Sequence, residues 1–340
     1  MEQVKDITII GAGPTGLFAG FYAGMRGASF RIIDTLDQLG GQLTALYPEK
    51  YIFDVAGFPK VLAKDLVRGM AEQVGQWKPS IHLGEKVVGL KRANGDSEAP
   101  LTVITDRDEY PSRKLLIAGG IGAFTPRKLP LKDADSWFGK GLHDRVLDPQ
   151  VFKGKGLLIV GGGDSAFDWA VNLQGIARRI LMIHRRDGFR AHQATVDQVT
   201  ALSAAGKMEL RTFWELRAIN GSDRIESVTI VNSKTKEEEV VAMDCVLPQL
   251  GFVSSLGVIA EWGLDIDKHD IRVSQTMETN QPGIYAAGDI TTYPGKLKLI
   301  ATGVAEACVA VNHAVHALNP TARFEPGHSS NMAVFGQKDD

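Results

Sequence analysis

The chain has 340 residues, 44% of them hydrophobic and 23% charged, which supports full-sized cores and excludes a disordered or collagen-like polymer. At about 150 residues per domain the length predicts two domains, and a net charge of −2 excludes an overall basic field for nucleic acid. Only two cysteines are present, Cys245 and Cys308, so a disulfide scaffold, a CxxC pair and a zinc cluster are all excluded, and no metal is expected.

In chain order, Val4–Ile10 reads as a strand feeding a glycine-rich loop rather than as a signal peptide. The loop is Gly11-Ala-Gly13-Pro-Thr15-Gly16, followed by a helical stretch to Arg26 and an apolar run, Phe30–Ile33. Val87–Leu90 and Leu101–Thr105 flank a polar turn at Asn94–Pro100 and read as antiparallel strands. The longest apolar run, Leu115–Phe124, is broken by glycines and falls short of the ~18 residues of a membrane helix. A second glycine turn, Gly161-Gly-Gly163-Asp164-Ser165-Ala166, follows Leu157–Val160 and precedes a helix to about Gly175 and the run Ile180–Ile183. Glu226–Val231 and Val240–Leu247 flank a charged turn at Lys234–Glu239. Gly283–Asp289 is a short strand ending in Gly-Asp. Gly303–Leu318 is a mostly apolar helix, polar only at Glu306, Asn312, His313 and His316, which suits burial. A polar tail follows.

Glycine is in excess, 37 of 340 or about 11% against a usual ~7%. Both glycine turns sit in a strand–turn–helix–strand context, as dinucleotide binding requires. The first glycine makes the turn, the second lets backbone approach a pyrophosphate, and the third packs helix on strand. The helix N-terminus presents free N–H groups to the phosphates. Ordinary tight turns of an α/β domain are the alternative.

Twenty-three residues after Gly11 stands Asp34. A carboxylate there accepts bonds from ribose hydroxyls and repels a 2′-phosphate, so the first site suits FAD or NAD. The same offset from Gly161 gives His184, followed by Arg185, Arg186 and Arg190. Arginine forks match phosphate oxygens bidentately, so the second site suits NADPH, unless the three arginines are only a solvated charge run. Two sites of different taste imply two cofactors that exchange electrons, and a flavin is the usual acceptor from NADPH.

With Gly40-Gly-Gln42-Leu43, Gly161–Ala166, His184-Arg-Arg186, Phe189-Arg190 and Gly288-Asp289, the chain resembles the two-dinucleotide-domain flavoprotein reductases over nearly its whole length. In size and motif order it looks like thioredoxin reductase, but Gly141–Lys155 lacks the redox CxxC that those enzymes carry before the second glycine turn. The run Gly40–Pro59 and the tail motif Gly327-His328-Ser-Ser330 are more similar to the ferredoxin–NADP reductases of thioredoxin-reductase type. Without a dithiol, electrons have no internal relay to a disulfide. His143–Val146 is more charged than the resemblance leads one to expect.

The resemblance implies an α/β fold of two Rossmann-like domains with antiparallel β-meander crossovers. It places an FAD domain at 1–122 and 248–340 and an NADPH domain at 123–247. Pro126, Pro130 and Pro248–Gly251 suit the crossings. For FAD it implies Gly11, Gly13, Thr15, Gly16, Asp34, Gln42, Tyr47, Val87, Phe124, Asp289, Thr302 and Ser330. For NADPH it implies Gly161, Gly163, Asp164, Ser165, His184, Arg185, Arg186 and Arg190. Tyr47 and His328 are expected to stack on the two faces of the flavin, and the helix near Thr302 to aim its N-terminus at the pyrimidine edge. Read alone, Val87 and Phe124 are equally core residues, Tyr47 a half-buried tyrosine and His328 part of a loose terminus.

The expected chemistry is hydride transfer from NADPH to flavin, then single-electron transfer to ferredoxin or flavodoxin. Position, stacking and electrostatics then suffice without a general acid or base. Acidic carriers call for a local basic patch, for which Lys128, Lys132, Lys296 and Lys298 are candidates, unless they are only scattered solubilising lysines. The resemblance also implies a homodimer and a rotation between the domains; the setting is expected to be a reducing cytoplasm, without membrane or nucleic-acid partners. The alternatives are a disulfide or peroxide reductase, a flavin monooxygenase and a flavin-bound redox sensor. The first needs a flavin-proximal cysteine, yet Cys245 and Cys308 both fall in apolar patterns.

Overall fold

The computed structural model describes all residues except 1, 49, 93–98, 145, 147, 322, 326–328, 333, 334 and 336–340, and the backbone alone at 123–126, 252–254 and 331. The chain divides into two compact units, one of Met1–Phe124 with Ser254–Asp340, the other of Thr125–Val253.

The first unit is organised by the strand Lys5–Ile10, whose inner residues Ile7 and Ile9 are almost fully buried. It runs parallel to Phe30–Asp34 on one side and to Glu109–Ile117 on the other. The sheet order is Ser80–Leu83, Phe30–Asp34, Lys5–Ile10, Glu109–Ile117, Leu101–Thr105, Val87–Arg92. The last three strands are antiparallel, a meander that closes one edge. Glu109–Ile117 outruns the meander, and its end pairs in parallel with Ile284–Ala286. That pairing brings the C-terminal segment back onto the sheet.

Helix α1, Pro14–Met25, follows the first glycine turn and has Pro14 at its first position, where a missing N–H costs nothing. Short α2, Gln42–Leu46, and α3, Ala63–Gly75, follow. Alanines and glycines on α1 let neighbours approach: a Cβ on Gly20 would lie 2.8 Å from the Phe30 ring, and one on Gly24 2.3 Å from Trp77.

The second unit repeats the plan. Four parallel strands lie in the order Glu209–Thr212, Arg179–His184, Gly156–Gly161, Cys245–Gln249. Gly156–Gly161 is wholly buried and pairs with both neighbours. Helices α4, Asp164–Asn172, and α5, Gln193–Ala204, accompany the sheet. A separate antiparallel meander is formed by Trp214–Gly221, Ile225–Asn232 and Glu238–Ala242. The last helix, α6, Ile300–Leu318, belongs to the first unit and packs against α1.

Two sequence expectations need correcting. Val240–Leu247 is not one strand: it breaks after Ala242, and Cys245–Gln249 joins the other sheet. Asp244 explains the corner. Its Oδ2 accepts the Gly156 N–H at 2.7 Å and faces Arg178 at 3.1 Å, so a polar side chain fixes the turn. The C-terminal helix starts three residues before Gly303, because apolar Ile300 and Ala301 join the first turn. Most of the Asn94–Pro100 turn lies outside the described residues. Among the described residues no helix is long and apolar enough to cross a membrane.

Candidate functional site

The glycines of the first turn divide by what surrounds them. Gly11 has φ +110°, and a Cβ there would stand 2.3 Å from the Ala118 carbonyl oxygen. A Cβ on Gly16 would stand 1.8 Å from the Gly11 carbonyl oxygen. Both positions are closed by backbone. Gly13 caps α1, and its Cβ would meet nothing nearer than Gly41 Cα at 3.8 Å. The space in front of Gly13 and the first-turn N–H groups of α1 is thus kept clear for an approaching group.

A second glycine pair lies beside this turn. The Gly40 N–H donates to the Ala12 carbonyl at 2.8 Å, and Gly40 and Gly41 have φ of +107° and +56°. The chain then enters α2, which begins at Gln42 and is followed by its capping residue Tyr47. The Gln42 side chain hydrogen-bonds the Asp289 carboxylate. Burial pushes the Tyr47 phenol pKa up, and the negative charges of Asp289 and Asp54 push the same way. Burial also raises the Asp289 pKa, opposed by Lys296 and Lys298. Gln42 and Tyr47 are therefore neighbours of Asp289, which is far from both in sequence.

Asp34 ends its strand beside Ala12. Its Oδ2 accepts the Ala12 N–H at 2.5 Å and its Oδ1 accepts the Leu36 N–H at 2.8 Å. Burial raises its pKa, and the two backbone bonds oppose that rise.

Thr15, Gly288 and Gly303 converge from α1, the Gly-Asp turn and α6. A Cβ on Gly288 would stand 2.8 Å from Thr15 Oγ1, and one on Gly303 2.5 Å from the same atom. Thr302 Oγ1 donates to the Leu297 and Leu299 carbonyls at 2.7 and 2.9 Å, so its hydroxyl serves the entry to α6. Val87 opens the edge strand opposite Thr105, where the ladder is irregular. The backbone of Phe124 lies in the strand Ala123–Pro126. Ser330 is exposed in a short turn, Ser329–Asn331, and His328 lies outside the described residues. Elsewhere the tail meets its own unit: the Arg323 carbonyl accepts Arg26 Nη2 at 2.9 Å, and the Phe335 ring lies 6.0 Å from Phe21.

The second turn repeats the division of glycines. Cβ atoms would lie 2.3 Å from the Gln249 carbonyl oxygen at Gly161 and 2.3 Å from the His184 ring at Gly162. Gly163, which caps α4, has nothing within 4 Å. Asp164 and Ser165 open the helix, and the Asp164 carboxylate accepts the His192 N–H at 2.9 Å. The Arg190 N–H donates to the Gly162 carbonyl at 2.8 Å, so the 185–190 loop folds back over the glycines. Burial lowers the His184 pKa; a bond to the Gly188 backbone opposes this, and Arg185, Arg186 and Arg190 reinforce it. All three arginines are exposed, and none makes an ion pair among the described residues.

Sequence reasoning missed two buried polar nodes. Glu85, 7% exposed, accepts the Thr105 and Tyr110 hydroxyls at 3.0 and 2.8 Å, two residues before Val87. Glu306, 4% exposed, accepts the Gly288 N–H at 2.7 Å, the Tyr293 hydroxyl at 2.6 Å and Lys296 Nζ at 2.5 and 2.7 Å. A lone acid on an apolar helix was the signal for the second. This also corrects Lys296 as a docking lysine, since its side chain is 6% exposed. Lys298 and Lys128 are tied to Asp270 and Asp135 at 2.8 and 2.6 Å. Cys245 is 1% exposed and Cys308 half-buried, and burial raises both thiol pKa values, the opposite of a poised thiolate.

The family model Pyridine nucleotide-disulphide oxidoreductase matches residues 5–314. The chain is 49% identical over 331 residues to a Ferredoxin–NADP reductase of Thermus thermophilus, covering 97% of this chain and 98% of that one. A Ferredoxin–NADP reductase of Halalkalibacterium halodurans is also 49% identical, over 332 residues, with the same coverage. Among solved structures, T. acidophilum thioredoxin reductase matches with TM-score 0.74 at 25% identity, over 94% of this chain and 100% of that chain. Lactococcus lactis thioredoxin reductase matches with TM-score 0.74 at 26% identity, over 91% and 97%.

Proposed function

The chain belongs to the pyridine nucleotide-disulphide oxidoreductases, and from that premise we propose that it is a ferredoxin–NADP reductase, exchanging electrons between NADPH and ferredoxin or flavodoxin through FAD. The observation that carries this reading is the 49% identity, along 97% of the chain, to relatives that bear that name. The cysteines support it against disulfide reduction, since burial raises both thiol pKa values, away from a reactive thiolate.

The first unit is the FAD domain and the second the NADPH domain. The residues fit these groups: the open faces of Gly13 and Gly163 are cradles that a Cβ would partly fill, each at a helix N-terminus. FAD bound in the first unit supplies the conversion between a two-electron hydride donor and a one-electron carrier. Gly11 and Gly16 hold the turn, while Gly13 and Thr15 border the pyrophosphate. Asp34 accepts ribose hydroxyls; Val87 meets the adenine through its backbone. Gln42, Asp289 and Phe124 border the ribityl and ring portion, with Tyr47 stacked on one face and Ser330 reaching it from the tail. The first turn of α6, at Thr302, offers a positive dipole end to charge that develops on the ring.

In the second unit Gly161, Gly163, Asp164 and Ser165 border the NADPH pyrophosphate. Arg185, Arg186 and Arg190 take the 2′-phosphate beside His184. That none of them is ion-paired among the described residues supports this role, because a guanidinium already committed to a carboxylate offers less to a phosphate. Assembly as a homodimer and a cytoplasmic setting belong to the same reading and rest on the resemblance.

The test is colour. Purified protein should be yellow, and anaerobic NADPH should bleach it. Protein that binds flavin and keeps it oxidised under NADPH contradicts the proposal.

A further inference from the structure

Glu306 is a buried carboxylate with every neighbour accounted for. It sits two turns into α6, in an otherwise apolar stretch, and a carboxylate there is retained only if its charge is met. Lys296 meets the charge, Tyr293 donates a hydroxyl, and the remaining bond goes to the Gly288 N–H. That last bond links the pair to the proposed FAD site. Gly288 has φ +84° and lies against Thr15 and Gly303, and the next residue, Asp289, is bonded by Gln42. Thr291 Oγ1 closes the same turn by donating to the Gly288 carbonyl at 2.8 Å. Lys296 and Glu306 both act on the charge of Asp289, in opposite directions.

We propose that Glu306 and Lys296 are positioning residues for the flavin end of the FAD site: the carboxylate holds the Gly288–Asp289 turn, and the paired charges behind that turn set the flavin's reduction potential. The inference rests on the first unit holding FAD. Buried pairs contribute little net stability compared with apolar packing, so stability alone is a weak reason for placing one here. A fixed cation behind the site favours the negatively charged reduced flavin, and a fixed anion disfavours it. Each charge offsets the other, so the potential depends on both.

The opposed signs make the test decisive. Glu306→Gln keeps an acceptor for Gly288 but leaves Lys296 uncompensated. At a fixed NADPH to NADP ratio, the bound flavin should shift on the order of tenfold toward the reduced form, about 30 mV for a two-electron couple. Lys296→Met should shift it by a similar factor toward the oxidised form, measured at alkaline pH, where Glu306 stays ionised on its bonds from Gly288 and Tyr293. The double variant should return close to the wild-type potential. Glu306→Ala, which also removes the acceptor, should release flavin on the order of tenfold more readily than Glu306→Gln. Potentials are read by equilibration with a reference dye, and affinity by flavin fluorescence on dilution. Single variants that move the potential in the same direction, or not at all, overturn the proposal. Should Glu306→Gln fail to fold, Lys296→Met and the double variant decide: a double variant that keeps the full Lys296→Met shift overturns it. Wild-type protein without flavin would instead refute the FAD reading itself.

Discussion

The backbone N–H of Arg190 donates to the carbonyl of Gly162 at 2.8 Å. This bond ties the arginine loop to the second glycine turn, where Arg185, Arg186 and Arg190 are exposed and make no ion pair among the described residues. A hydrogen bond to a charged group contributes about 1.5–3 kcal/mol. Replacing Arg185 and Arg186 with Gln should therefore raise the Michaelis constant for NADPH by roughly ten- to a hundredfold and leave that for NADH within about twofold. Steady-state kinetics with both donors checks this, and equal losses for the two would remove the 2′-phosphate assignment.

His184 adds a pH signature to the same site. Its pKa is held below the usual value, first by burial, with the three arginines reinforcing it against the Gly188 bond. The native protein therefore binds fewer protons here than the unfolded chain between the lowered pKa and about 6.5. Stability from this group is full above about pH 6.5 and falls as the pH drops through that window. A 2′-phosphate beside the ring opposes the shift, so His184 should take up protons when NADP binds below the ordinary histidine pKa of about 6.5, and not when NAD binds. Calorimetry in two buffers of different ionisation enthalpy measures the uptake. His184→Asn should abolish it.

The glycines separate packing from ligand approach. Gly163→Ala meets nothing within 4 Å and should change stability by no more than about 0.5 kcal/mol while weakening NADP binding about tenfold or more. Gly16→Ala places a methyl 1.8 Å from the Gly11 carbonyl oxygen and should destabilise by about 3 kcal/mol or more. Denaturant midpoints and a binding titration distinguish the two. Strong destabilisation by Gly163→Ala would mean that its open face is filled in the native protein.

The cysteines should be dispensable. Cys245 is a core residue and Cys308 half-buried, both with raised thiol pKa values. Cys245→Ala with Cys308→Ala should keep most NADPH-driven electron transfer, with a loss of stability of about 1–2 kcal/mol from the core position. Loss of electron transfer in folded, flavin-bound double variant would restore the disulfide-reductase reading.

The glycine turns and the strand after each were legible because they obey local rules: Asp34 and His184 stand at the same offset from Gly11 and Gly161, and the structure places each beside its turn. The α/β plan with antiparallel meanders was legible for the same reason. The strand break at Asp244 was not, because the run Val240–Leu247 is nearly all apolar and its corner depends on a carboxylate reaching Gly156, 88 residues away. Lys296 was misread because a lysine's burial depends on its partner, and Glu306 comes ten residues later on a helix that reads as apolar. The meeting of Gln42 with Asp289 joins residues more than two hundred positions apart, and no local pattern signals such a contact.

The central claim is that electrons leave through an external one-electron carrier. It is tested most directly by anaerobic assay of NADPH, purified protein, ferredoxin and cytochrome c, with each component omitted in turn. Cytochrome reduction should require ferredoxin, and reduced ferredoxin should in turn drive NADP reduction. Rapid reduction of a disulfide dye with no response to ferredoxin or flavodoxin would contradict the account.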